Sequence, residues 1–526
     1  MDTAFFTLRL GYYKPYLPYL WGLLEEREPL RLFPTSQRAY QVRTIPYIRT
    51  RAPYTRVRFD QVSRRTQLLY AQHGQNFGNK GGLSFIYQRR TRLGEYLRQA
   101  TDHYGLALRT FASYKGVSLS AWGGWNQLDD QINGGIVYRT SPWEAFGKER
   151  QAIRLPQGRT RTWYRFAAAE LSISLPLSIG LLGKAAIDEE RYHIETGKAN
   201  VGESPFSPDT IPLSWQVRQT RTTLEAQILW RKAHLYVSSQ EYSGVGEAFF
   251  QRKWFLPLLM IGGSWCGERV KIEGAYGRWT RKDLSPIYWG EVRGYPWHLE
   301  IGVAHQQQVA PWLGYQNLWE QKPIPIRLTQ GWIGYRWRAD STCLPFQLRL
   351  RGMRIENLWL PTAPAPLFAN IWMLSPEVEG EVAYRWAGIA MKLAFQQNLR
   401  RSSLPIAWRG VYPIWSGWIQ PYVRWRLPGR VPLYQLGVRL AGFTPFTLLS
   451  YEPKMMLFYP TPGRSFNQPF HWRAEPYFVV LVRRVMVYLR VEHLTERIIA
   501  PGYYLSAWYP MPGRAFAFGV QWDIYN

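Results

Sequence analysis

The side chains best suited to chemistry in this chain are its eight histidines, at positions 73, 103, 193, 234, 298, 305, 471 and 493, and its two cysteines, Cys266 and Cys343. A hydrolytic zinc site on a helix would show two histidines one turn apart with a glutamate after the first, and no His-Glu-x-x-His is present. No cysteine stands beside a histidine, so a mixed thiolate and imidazole site has no signature either. A Gly-x-Ser-x-Gly elbow and a phosphate-cradling glycine loop are equally missing. Only the polar run His73-Gly-Gln-Asn76 offers a reactive imidazole with polar company, and such a run more often completes hydrogen bonds at a strand end. Two cysteines allow one bridge at most, or two inert thiols. The expectation is a protein that is not an enzyme and needs no metal or cofactor.

Basic side chains are the other group with a task. Lys plus Arg number 65 against 37 Asp plus Glu, a formal charge of +28. Such a surplus suits nucleic acid, but nucleic-acid arms carry charge in blocks. Here arginine alternates with apolar residues, as in Phe346-Gln-Leu-Arg-Leu-Arg351 and Val270-Lys-Ile-Glu273. Alternation at period two means a strand with two unlike faces, so no nucleic-acid partner is expected. If the apolar members face lipid, then Arg269, Lys271, Arg336, Arg349, Arg351, Gln435 and Arg439 face an interior. An interior lined by that much arginine favours anions, unless carboxylates such as Glu273 pair with it.

The elements that must position these residues recur from end to end. Val117, Leu119, Ala121, Gly123 and Trp125 alternate with polar or small neighbours, as do Leu299-Ile301-Val303 and Tyr434-Leu436-Val438-Leu440. The chain ends on the same pattern, with Phe516, Phe518, Val520, Trp522 and Ile524 on one face and Ala517, Gly519, Gln521 and Asp523 on the other. Even the most helix-like stretch, Phe166 to Gly183, alternates, with Leu or Ile at every odd position from 171 to 181 and Pro176 inside it. Aromatics make up 16% of the chain, with 26 Trp and 34 Tyr. Amphipathic rings in that number suit the two rims of a bilayer.

A spanning sheet must pair every backbone group, and it can do so only by closing on itself. The sequence therefore predicts an all-β, closed antiparallel transmembrane barrel over residues 52–526, of about 16 strands (range 14–18), with short periplasmic turns and long extracellular loops. Residues 1–51 read as an extended segment, either a periplasmic arm or a lumen plug. The long loops are expected at 126–159, 184–212, 306–327, 360–377 and 444–468. No basic leader, apolar run and cleavage site is visible at the N-terminus, so export is inferred from the body of the chain. The last strand completes the wall, and its aromatic face with the chain end is the expected recognition feature for the barrel-assembly machinery.

Four stretches carry a family resemblance. Arg49-Thr-Arg-Ala-Pro-Tyr-Thr55, His73-Gly-Gln-Asn76, Gln99-Ala-Thr-Asp-His103 and Asn133-Gly-Gly-Ile136, with the terminal Tyr509-Pro-Met-Pro-Gly-Arg-Ala-Phe516, resemble in order and spacing the putative porin family of Bacteroidota outer membranes. Gly74 and Ala100 depart from the family words, which carry Ser and Arg there. The resemblance implies an outer-membrane barrel and brings no catalytic residues with it. Passive diffusion of small, mostly anionic solutes is the function expected. The alternative is a plugged structural barrel serving a secretion or surface-assembly complex, with a protein partner. Outer-membrane lipid and lipopolysaccharide are the surroundings expected in either case.

Overall fold

The computed structural model describes Ile45, Thr50 and, from Arg51 onward, the strands and most short turns; residues 1–44, 46–49, 132–156, 196–213, 310–324, 338–345, 401–408 and 497–503 are the main stretches outside the description. The main sheet of the described chain is antiparallel and has 23 members, one of them the two-residue piece Gln397–Asn398. The other 22 strands form the wall, from Tyr54–Val62 to Ala515–Tyr525. These two pair over the whole of the first strand, Tyr54 opposite Tyr525 and Val62 opposite Ala517, so the sheet closes on itself. Closure and direction match the sequence expectation, but the expected 16 strands are too few.

The missing strands have two physical causes. Leu175 and Ile179 close a hairpin through Pro176–Ser178, a three-residue turn that keeps odd positions facing outward in both strands, so two strands read as one alternating run. Elsewhere the strands extend past the apolar band. Ile179–Glu195 ends in Asp-Glu-Glu-Arg-Tyr-His-Ile-Glu, charged on both faces, and the sequence assigned that half to a loop beginning at residue 184.

Connections sort by end. At one end most are short, among them 78–80, 115–116, 176–178, 231–232, 267–269 and 483–484, the longest being 338–345; at the other lie all the long ones, 132–158, 196–213, 310–324, 396–414, 444–470 and 493–514, beside short ones such as 63–65. Lys115 and Gly116 both take positive φ, 43° and 84°, the type I′ geometry whose twist matches the flanking strands. The long connection 444–470 carries a small sheet of its own, Phe446–Glu452 pairing with Leu457–Pro460 and Phe466–Gln468.

The two faces of the wall differ. Outward positions hold Leu108, Leu119, Leu171, Leu224, Ile228, Val303 and Leu348, all exposed in the isolated chain and suited to lipid. Tyr114, Trp230, Trp265, Trp425 and Trp522 rim the short-turn end, as aromatic girdles do in membrane barrels. Inward positions hold polar and aromatic side chains together. One interior contact comes from before the first strand: Ile45 is buried against inward Ile86 and Ala107, and its carbonyl accepts from Arg109 at 3.4 Å. Asn76 Nδ2 donates to the Thr50 carbonyl at 2.7 Å.

Candidate functional site in the barrel lumen

Inward aromatics lie flat where the opposite strand offers glycine. Trp332 crosses Gly302, where a Cβ would meet the indole at 2.1 Å, and Tyr488 crosses Gly519 at 2.4 Å. Flattened in this way, the rings aim polar atoms at carboxylates. Trp332 Nε1 donates to Glu300 at 3.1 Å, and Tyr488 Oη donates to Asp60 at 2.6 Å. Each carboxylate also meets a cation: Arg349 lies 3.6 Å from Glu300, and Arg58 lies 2.6 Å from Asp60.

The same one-to-one pairing recurs around the inner face. Lys271 pairs with Glu273 at 2.8 Å, Lys392 with Glu379 at 2.8 Å, Arg221 with Asp188 at 2.8 Å and Arg56 with Asp523 at 2.6 Å. Arg293 pairs with Glu291 and Arg490 with Glu492. Arg424 meets Glu381 at 3.3 Å and donates to Gln435 at 2.8 Å, while Gln435 donates to Tyr477 Oη at 2.8 Å.

The predicted lining residues therefore do not behave alike. Lys271 and Arg349 alternate inward and are paired. Arg351 also alternates inward, in register between Trp332 and Ser375. Arg439 stacks on Trp418 at 4.8 Å, opposite Glu475. Gln435 is buried in the Arg424 and Tyr477 network rather than bordering open water. Arg336 occupies an inward strand position, but its side chain lies outside the described residues. Arg269 is displaced: it sits in the turn 267–269, exposed at the rim, because the strand begins only at Val270. On the terminal strand, Phe516, Phe518, Val520, Trp522 and Ile524 alternate outward, opposite buried Ala517, Gly519 and Gln521.

Sequence reasoning missed most of the carboxylates. Glu377, Glu379 and Glu381 share one inward face, and that i, i+2, i+4 spacing was the available signal. The tempting histidine run divides between faces: His73 turns outward to Thr55 Oγ1 at 2.8 Å, while Asn76 turns inward. Cys266 is an exposed free thiol, and Cys343 lies outside the described residues. Near the long loops, His493 is buried beside Arg473, His471 and Arg490. Burial first, and the neighbouring Arg473, His471 and Arg490 after it, hold its imidazole well below the usual histidine range.

A closed antiparallel wall with a lipid-suited outer face, aromatic rim and polar interior defines a transmembrane β-barrel of outer-membrane type. The sequence model of the family described as "Putative porin" matches residues 25–167 and 367–526, and the chain belongs to that family. No curated protein sequence matches it. Among solved structures it is similar to the ferripyoverdine receptor of the Pseudomonas aeruginosa outer membrane, with 10% identity, TM-score 0.64, and coverage of 91% of this chain and 72% of that one. It is likewise similar to the FrpB iron transporter of Neisseria meningitidis, with 10% identity, TM-score 0.62, and coverage of 90% and 82%. The ferric-catecholate import receptor Fiu of E. coli gives 9% identity, TM-score 0.62, and coverage of 90% and 82%. At such identities the likeness is one of fold. Family and fold together support an outer-membrane location.

Proposed function

We propose that this protein is an outer-membrane porin through which small polar solutes diffuse along a narrowed, charge-paired lumen. The observation that carries the reading is the inner face itself, where cation and carboxylate alternate around the wall from Arg56–Asp523 to Arg424–Glu381. Such a lining holds water and offers polar solutes hydrogen bonds. Twenty-two strands spaced ~4.8 Å apart and tilted ~40° make a wall roughly 40 Å across. Inward Tyr242 and Leu258 are nevertheless each only 1% exposed, so the passage is narrower than its wall. The pairing also weakens the anion preference that a basic lining alone would give, because each paired carboxylate cancels most of its partner's field.

A second reading is an occluded barrel. Ile45, tied to the inner wall by Arg109, favours it by placing a side chain from before the first strand against the inner face. Barrels of 22 strands elsewhere carry a plugged lumen. Single-channel recording on reconstituted full chain, and on a variant lacking residues 1–44, separates the two. Steady conductance in the full chain supports the diffusion porin. A silent full chain beside a conducting truncation overturns it in favour of the occluded barrel.

A further inference from the structure

On the outer face, near the long loops, one patch holds more arginines than carboxylates to pair with them. Three adjacent strands, Arg159–Leu175, Ile179–Glu195 and Ser214–Trp230, turn Arg159, Arg161, Arg165, Arg191 and Arg218 outward. Asp129 is shared by Arg159 at 3.6 Å and Arg161 at 3.0 Å, and Glu189 by Arg191 and, at 3.0 Å, Arg218; Glu195, opposite Arg159 and bonded to His193 at 2.9 Å, is the third carboxylate against the five arginines. Arg191 and Arg218 stand directly opposite in register, a like-charge arrangement that disfavours a sheet on its own. Arg165 is exposed and makes no ion pair among the described residues. Further round the wall Glu356 repeats the pattern, shared by Arg327 and Arg354.

The height of this patch fixes its surroundings. Immediately below Arg165 the outward side chains become Ala167, Ala169, Leu171, Ile173 and Leu175. Eight residue steps at ~3.3 Å, tilted ~40°, give an apolar band roughly 20 Å tall, close to the ~25 Å of membrane barrels. The arginines therefore stand at the headgroup level of the outer leaflet. Directly beneath them lies a lipid-facing groove of about 690 Å³, floored by Ala121, Ala167, Ala169 and Ala185 and flanked by Leu108 and Leu224. Small side chains flanked by large ones leave room for acyl chains.

We propose that this patch and groove form a binding site for the phosphorylated lipid A of lipopolysaccharide. The proposal rests on the outer-membrane location and is independent of what the lumen conducts. Arg165, Arg191 and Arg218 hold a lipid A phosphate through charge-assisted, fork-shaped hydrogen bonds, which relieve the repulsion between the last two. The alanine floor takes the acyl chains.

The test is retention of lipid A by folded, detergent-purified full chain, read by native mass spectrometry after exchange against lipid A or, separately, phosphatidylglycerol. The wild type is expected to keep lipid A at least tenfold better than phosphatidylglycerol. Arg165→Gln with Arg218→Gln should lose that advantage, Glu189→Gln should enlarge it, and Arg269→Gln at the opposite rim should leave it unchanged. Circular dichroism checks that each variant keeps its strands. Equal retention of both lipids, an undiminished advantage in the double variant, or an equal loss in Arg269→Gln overturns the site. None of these outcomes bears on conductance, so the two proposals fail separately.

Discussion

Inside the barrel most paired carboxylates answer one cation, whereas in the outer patch above the apolar band Asp129 and Glu189 each serve two. Lys271 with Glu273 and Arg349 with Glu300 represent the first region; Asp129 with Arg159 and Arg161 represents the second. The difference teaches what each surface faces. An inner wall that pairs most of its charge asks little of a solute, while an outer patch with five arginines to three carboxylates favours an external anion. Between the two outer zones the contrast is steeper, because six residues above Leu171, at Arg165, the same outward series is charged.

The largest expected effect comes from erasing the difference between faces. Leu171→Arg puts a guanidinium in the apolar band, at a cost of about 2–4 kcal/mol near the midplane. Ser172→Arg, one residue on and facing inward, should cost far less. Urea titration of the two variants in lipid vesicles checks this. Equal destabilisation would mean that the two faces are not distinct solvents. Breaking one inner pair comes next. Glu300→Gln leaves Arg349 without its counter-charge and weakens the acceptor for Trp332 Nε1. A buried group stripped of its partner costs about 1–3 kcal/mol. Adding Arg349→Gln should recover part of that loss, and a cycle showing strict additivity would remove the pair from the account.

The outer face was legible in the sequence, and so was closure. Period-two runs such as Val117 to Trp125 need only the local alternation that a lipid-facing strand imposes. The strand count was not, because the strand halves above the bilayer, such as Asp188 to Glu195, meet water on the outside and pairing partners on the inside, and alternate in neither sense. The lining was half legible. Parity identified Lys271, Arg349 and Arg351 as inward-facing. Their pairing depends on registers between strands that lie far apart in sequence, such as Glu300 beside Arg349. Arg269 shows the boundary error that parity invites where a run meets a turn. The outward arginine patch was half legible: Arg159, Arg161 and Arg165 share one parity in a single strand, but Arg218 joins Glu189 and Arg191 only through the register of the neighbouring strand.

A smaller effect follows pH. His493 is buried at the base of the connection 493–514, and its folded pKa lies below that of the free side chain. The unfolded chain therefore binds its proton first as pH falls. Stability is fully present above about pH 6.5 and declines below it, by up to about 1.4 kcal/mol per pH unit from this group. Melting temperatures at pH 7.5 and 5.5 should differ more for the wild type than for His493→Gln. An identical pH slope in both proteins would assign the acid sensitivity to other groups.

The smallest effect sharpens the comparison most. If the lumen is balanced by pairs, removing either member of a pair should bias it equally and oppositely. Lys271→Gln with Lys392→Gln removes the lysine charge beside Glu273 and Glu379, and Glu273→Gln with Glu379→Gln removes the carboxylate charge beside the two lysines. The Lys392–Glu379 pair is exposed and the Lys271–Glu273 pair half-buried, so folding should change little, as water-accessible pairs contribute little. In a conducting preparation the first double variant should move the reversal potential in a salt gradient toward cations and the second toward anions, around a wild type near neutrality. Both shifts should shrink as salt rises, because screening shortens their reach to about 8 Å at physiological ionic strength. A wild type already strongly anion-selective at low salt would show instead that inward cations such as Arg351 outweigh the paired set, and that the inner wall resembles the outer one.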